Sequence, residues 1–223
     1  MRVTRVAVIG AHPDDELLGA GGTLARHVQA GAEVHAIVVA DGAGSRYPDE
    51  MMGKLEKDAR RAAETIGFAS LRLQALPDQR LDTVPFIELT QLIESVLDDI
   101  SPHVVYTHFP ADVNADHGVV ARAAWTACRP YSRPELRRFA VFETPSSTEW
   151  AWPMTGTSLN PNHFVDVTDT LDIKIAAMEC YETELRDYPH PRSSRALRER
   201  AAFWGSQVGR LAAEPFLILR DVE

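Results

Sequence analysis

The chain has 223 residues, which at about 150 residues per domain implies one domain spanning 1–223, long enough to bury a core without staples. Its 45% hydrophobic and 25% charged composition is that of a globular protein and excludes bulk disorder. Setting 23 basic against 32 acidic residues gives −9, which argues against nucleic-acid and anionic-membrane partners, and two cysteines, Cys128 and Cys180, exclude a disulfide scaffold and a Cys-rich zinc module.

Val3 to Ala11 is rich in β-branched residues and reads as a buried parallel strand. It begins at the N-terminus, which leaves no room for a signal peptide, and no apolar run approaches ~18 residues, so a cytoplasmic protein with no membrane insertion is expected. Leu17 to Ala30 has helical spacing and stops at Gly31. Val34 to Ala40 is a second buried strand, and Asp41 to Asp49 is a loop of turn formers. Helices are expected over Lys54–Gly67, Pro85–Ile100 and His117–Cys128, with strands over Leu71–Leu76 and Val104–Thr107 between them. Short strands follow at Phe139–Phe142 and Phe164–Val167, then long helices over Leu171–Asp187 and Arg195–Ala213. The βα alternation predicts an α/β fold with a doubly wound, mainly parallel sheet flanked by helices. Ligands in such sheets sit beyond the carboxyl ends of the strands, so chemistry is sought in loops that follow strands.

The first strand runs into His12-Pro13-Asp14-Asp15-Glu16. No glycine fingerprint for a nucleotide is present, and the carboxylates of this stretch would repel a phosphate. One imidazole with carboxylates suits zinc with an open position for water. The two adjacent Asp side chains point in different directions, so one can hold the ion while the other takes a proton from water. A helix cap would account for one Asp, but not for His12 or for two consecutive acids. Three His near the fourth strand are candidates for a further ligand. His103 precedes that strand and takes a surface role; His108 follows it directly; His117 opens the next helix within Asp112-Val113-Asn114-Ala115-Asp116-His117. Asp116 can orient a ligand His from behind.

These two motifs together resemble the PIG-L/LmbE family of zinc-dependent N-deacetylases, in its bacterial branch. Ala40-Asp41-Gly42 with Ser45-Arg46, Pro77-Asp78, Thr107-His108, Pro145 to Trp150 and Pro189-His190-Pro191-Arg192-Ser193 extend the likeness over most of the chain. The resemblance implies a Rossmann-like fold, His12, Asp15 and His117 as ligands of Zn2+ (Fe2+ can substitute), and Asp14 as general base. It implies hydrolysis of an acetyl group from an N-acetylated sugar, such as an N-acetylglucosamine unit, or from a sugar-containing small molecule, nucleotide sugars included. Many members carry a His three residues before the last ligand; this chain has Asn114. Either Asn114 acts as a neutral oxyanion donor or His108 takes that role. Substrate contacts are expected from Arg46, Asp82, Trp150 (with Trp152), His190 and Arg192. Members often assemble as homo-oligomers. The same scaffold hosts a metal-dependent hydratase and a thiol-conjugate amidase, which stand as the alternative activities.

Overall fold

The computed structural model describes residues 3–42, 52–152 and 158–223. In chain order they form β1 (Arg5–Gly10), α1 (Asp15–Gln29), β2 (Glu33–Ala40), α2 (Met52–Ile66), β3 (Ser70–Leu76), α3 (Phe86–Ile100), β4 (Val104–His108), α4 (Ala115–Ala127), β5 (Arg138–Phe142), β6 (His163–Asp166), α5 (Leu171–Met178), α6 (Ser194–Gln207) and β7 (Ala213–Asp221). The seven strands make one sheet in the order β3-β2-β1-β4-β5-β7-β6. The first five are parallel, and β7 runs antiparallel to both β5 and β6. The expected Rossmann-like α/β sheet is therefore present.

Strands β1 and β2 are buried on both faces, which is why their sequences are near-continuous Val, Ile and Ala. One apolar layer joins α1, α2 and α5 to the sheet through Leu17, Leu24, Leu55, Ile175 and Phe142; the other joins α3 and α4 through Leu89, Ile93, Val120 and Phe139. Each such Leu, Ile or Phe contributes about 1.5–3 kcal/mol when removed from water.

Helix α1 lies unusually close to β5. A Cβ on Gly19 would fall 2.1 Å from the Phe142 ring, so glycine is required for that approach. A buried ion pair fixes the same helix: Lys174 Nζ donates to Glu214 Oε1 (2.6 Å) and to the Leu18 carbonyl (2.9 Å). The Glu214 carboxylate also accepts from the Gly22 and Thr23 N–H groups at 3.0 and 2.7 Å.

Two helices end earlier than their sequences predict. The helix expected over 171–187 stops at Met178. Buried Tyr181 donates to Glu16, and the polar segment beyond it turns back over the sheet. The helix expected over 195–213 stops at Gln207. Gly209 adopts φ +69°, and a Cβ on Gly205 would meet the Arg210 carbonyl at 2.7 Å, so the chain reverses there. The final strand, β7, has no counterpart among the expected elements. Pro215 lies within it, and its apolar run shows no clean alternation. Among the described residues no helix is long and apolar enough to cross a membrane.

Candidate metal centre and active site

The order 3-2-1-4-5 makes the β1/β4 junction the point where the chain switches direction across the sheet, and a crevice opens there beyond the strand ends. His12, Asp14 and Asp15 follow β1; Asp112, Asn114, Asp116 and His117 follow β4. Asp15 and His117 sit in the first turns of α1 and α4, which aims both at the crevice.

His12, Asp15 and His117 come together. Asp15 Oδ2 lies 3.2 Å from His12 Nδ1 and 3.3 Å from His117 Nε2, and it accepts the His12 backbone N–H at 2.8 Å. One ligand atom from each of the three lies within 4.8 Å of the others. The outward nitrogens face carboxylates. His12 Nε2 is 3.1 Å from Asp116 Oδ2, while Asp116 Oδ1 accepts the Leu81 N–H at 3.0 Å. His117 Nδ1 is 3.3 Å from Asp112 Oδ2, close enough for charge but too poorly aligned for a good hydrogen bond. Asp112 is held in turn by the Ser147 hydroxyl, by Thr148 Oγ1 at 2.6 Å and by the Asn114 N–H at 2.9 Å.

Charge in this cluster is steep. Burial presses His12 and His117 toward neutrality, but Asp116 and Asp15 outweigh it at His12, and Asp15 and Asp112 at His117. The two imidazoles are pushed up to about 10 and about 9. Burial works to raise Asp15, yet His117 and His108 hold it well below the usual carboxylate range. A buried pair of imidazoles kept cationic by surrounding carboxylates marks a place built for positive charge. Two imidazoles and one carboxylate, each backed from behind, fit a divalent ion of the zinc or iron(II) type.

Asp14 occupies the N-cap position of α1 with φ 105°, a conformation non-glycine residues rarely adopt, and its side chain makes no cap hydrogen bond. Its Oδ2 instead accepts from Arg192 Nη1 at 3.0 Å. Burial pushes this carboxyl well above its ordinary range and Arg192 draws it back, while Asp15 and Glu184 push the same way as burial. Beneath it, burial takes Glu16 up to about 7, opposed by hydrogen bonds from the Asp14 N–H and Tyr181.

His12, Asp14, Asp15, Asp78, Gln79, Asn114, Glu184 and Arg192 line a cavity of about 50 Å³. That is room for an ion and a water, each water taking about 30 Å³. A larger cleft of about 540 Å³ around Arg26, Tyr106 and Arg138 lies at the far end of α1 and contains none of these groups. Chemistry, not volume, selects the smaller one.

The remaining expected residues divide. Asn114 lines the cavity and caps α4, its Oδ1 accepting the Asp116 N–H at 2.9 Å while Nδ2 points at Gln79 Oε1 (3.4 Å). His108 does not reach the cavity. Its ring is fully buried, stacked on His117 at 4.0 Å, with Nε2 accepting the Ala11 N–H (2.9 Å) and Nδ1 bonded to Thr144 Oγ1 (3.0 Å). Burial, reinforced by His117, lowers it to about 4. It supports the wall behind the cluster, and an oxyanion role for it has no geometric basis here. Asp82 is exposed in a short 3-10 turn and is absent from the cavity lining. Arg46 lies outside the described residues. Trp150 is half exposed and meets His190 edge-on at 6.3 Å, and Trp152 is exposed nearby in sequence. His190 Nδ1 accepts the Arg192 N–H (3.1 Å).

Sequence reasoning missed Asp78, Gln79, Asp112, Glu184 and Tyr181 as parts of the site. The first two follow β3, so the rule that chemistry follows strands could have found them. Asp112 stands in the motif that supplies His117. Glu184 and Tyr181 carry no local signal.

The chain resembles several proteins of known name. It is 27% identical over an alignment 238 positions long to a 1D-myo-inositol 2-acetamido-2-deoxy-alpha-D-glucopyranoside deacetylase of Mycobacterium sp. (strain JLS), covering 86% of this chain and 77% of that protein. It is 25% identical over 228 residues to a diacetylchitobiose deacetylase of Thermococcus kodakarensis, covering 95% of this chain and 82% of that one. The crystal structure of a 4-carboxy-2-hydroxymuconate hydratase from Pseudomonas putida superposes with a TM-score of 0.78 at 20% identity, covering 99% of each chain, and so shares the fold. The family model for PIG-L, described as GlcNAc-PI de-N-acetylase, matches residues 7–128, the stretch that holds His12, Asp14, Asp15, Asp116 and His117, and the chain belongs to that family.

Proposed function

We propose that this protein hydrolyses the acetamide of an N-acetylated sugar or sugar-containing small molecule, releasing acetate and a free amine. The observation that carries the reading is the placement of Asp14, a carboxylate that makes no cap hydrogen bond, on the wall of the same small cavity as His12 and Asp15, the two members of the His12, Asp15 and His117 group that line it. The relatives named as deacetylases of acetamido sugars support it.

His12, Asp15 and His117 would hold the ion, and zinc suits that donor set best. When bound, the ion supplies a Lewis acid that lowers the pKa of a nearby water and polarises the acyl oxygen. Asp14 takes the proton as the water oxygen bonds to the acyl carbon. It then returns that proton to the nitrogen as the C–N bond breaks, so the amine leaves neutral. Asn114 stands at the cavity as a neutral N–H donor toward the developing oxyanion, in place of the His that many family members carry there. A cavity of about 50 Å³ is too small for a sugar ring, so the sugar would lie at its mouth.

The test is acetate release by zinc-loaded protein across N,N′-diacetylchitobiose, N-acetylglucosaminyl glycosides and nucleotide N-acetyl sugars. Asp14→Asn is expected to keep about one ion per chain and to lose on the order of 10²–10⁴-fold in turnover. Full activity in that variant refutes the assignment of the base. Silence of the wild type across the panel, with the ion bound, shifts the reading to the hydratase or amidase chemistry of the scaffold.

A further inference from the structure

We propose that Arg192 is a positioning residue for Asp14 and not a contact to substrate. The inference rests on the reading of Asp14 as the base and adds what holds that base in place.

Nothing in the local segment steadies the Asp14 carboxylate. The residue takes the N-cap position of α1 without capping it, and its φ of 105° turns the side chain away from the helix end. The restraint comes from 178 positions further along the chain, where Arg192 Nη1 donates to Asp14 Oδ2 at 3.0 Å. That donor is itself fixed on other sides. Nη1 also reaches Glu184 Oε2 at 3.0 Å, and Nε donates to Ser146 Oγ at 2.7 Å. The backbone below it is pinned as well, since the Arg192 N–H donates to His190 Nδ1 and the next residue, Ser193, caps α6 through the Ala196 N–H. A guanidinium with these partners is a planar fork already engaged with Asp14, Glu184 and Ser146.

The clamp acts on one oxygen. No hydrogen bond among the described residues engages Asp14 Oδ1, and Asp14 lines the cavity. Tethering Oδ2 therefore leaves Oδ1 to meet water from a fixed position, which is what a proton transfer within hydrogen-bond reach requires. Glu184 keeps the guanidinium from swinging wholly onto Asp14, and Ser146, itself at φ 70°, sets the plane of the fork.

The experiment compares wild type, Arg192→Met, Arg192→Lys, Asp14→Asn and the Asp14→Asn/Arg192→Met double variant, each zinc-loaded, on N,N′-diacetylchitobiose and on whichever other panel member is turned over. Arg192→Met is expected to lower kcat on the order of 10–100-fold with KM within about twofold, and Arg192→Lys to recover part of the loss. In the Asp14→Asn background the same Arg192 change is expected to have no further effect on residual turnover. A raised KM with kcat kept, or an equal fold-loss in the Asp14→Asn background, overturns the proposal. Denaturant unfolding of the four ion-free proteins in the Asp14/Arg192 cycle reads the contact without turnover. Additive losses there overturn the clamp. Non-additive losses combined with a catalytically silent wild type uphold the contact and reject the deacetylase reading on which the role of Asp14 rests.

Discussion

Replacing Asp116 with Asn tests how the cluster selects an ion. The carboxylate has two fixed duties: Oδ1 accepts the Leu81 N–H at 3.0 Å, and Oδ2 faces His12 Nε2 at 3.1 Å. An Asn side chain can keep only one of them. If its oxygen stays on Leu81, its NH2 faces Nε2 and favours that nitrogen as an acceptor, against the pull of Asp78 Oδ1 at 3.3 Å, which moves the ring proton toward Nδ1. Nδ1 is the atom that faces Asp15 (3.2 Å), so the tautomer that results is the one that cannot bind an ion there. If the amide flips, NH2 meets the Leu81 N–H, and a buried donor left unpaired costs about 1–3 kcal/mol. Binding an ion requires the second arrangement, so its cost relative to the first should weaken ion affinity about 10–100-fold, equivalent to about 1.4–2.7 kcal/mol. The assay is competition for zinc against a chromogenic chelator at pH 7.5, with ion-free unfolding as a check that the variant folds. Affinity equal to the wild type in a folded Asp116→Asn protein refutes the view that Asp116 sets the His12 tautomer.

The remaining expectations concern pH and packing. With His12 and His117 raised to about 10 and 9, both imidazoles of the ion-free protein are cationic at neutral pH, whereas an ion needs neutral imidazoles; zinc uptake should therefore release protons into weak buffer, and affinity should climb with pH until about 9–10. The same folded-state pKa values exceed the unfolded value of about 6.5, so their contribution to stability is complete below pH 6.5 and is lost as pH rises through 9–10. The ion-free protein should accordingly melt lower at pH 10 than at pH 6.5, and an unchanged or higher Tm contradicts this. Lys174→Met strands the buried Glu214 carboxylate and should cost about 3 kcal/mol, only part of it regained in the Lys174→Met/Glu214→Gln double variant because the Gln NH2 cannot accept from one of the Gly22 and Thr23 N–H groups, as read by urea unfolding. Gly19→Ala drives a Cβ into the Phe142 ring and should cost about 1–3 kcal/mol despite the helix propensity of alanine; a stabilised protein would show that α1 can retreat from β5.

The parallel half of the fold was readable because each of its signals is local. Buried strands such as Val34–Val39 are continuous apolar runs, and Gly31 and Gly67, at φ 80° and 90°, end the helices before them. The other half was not, because tertiary contacts decide it. Tyr181 leaves helical geometry to reach Glu16, and β7 exists because two strands offer it edges. The site divides the same way. His12, Asp15 and His117 stand out because a His with two successive Asp after β1, and a His behind Asp112, Asn114 and Asp116 after β4, exceed what turns and helix caps require. His108 looked equally suited by position, and only its packing against Ala11, Thr144 and His117 removes it from the cavity. Arg192 reaches Asp14 through the turn of the 179–193 segment, which no spacing rule foretells.

The meeting of β1 with β4 also has a consequence in time. His12 and Asp116 touch across 104 positions, and the β2-α2 and β3-α3 units lie between β1 and β4 in the chain. Contacts of such sequence separation close late in folding. A chain emerging from synthesis as far as β3 holds His12 and Asp15 but neither His117 nor the carboxylates behind the two rings. It therefore lacks the means to retain an ion tightly, and loading is deferred until the sheet is assembled. On the proposed site, ion occupancy would be a record that folding has finished.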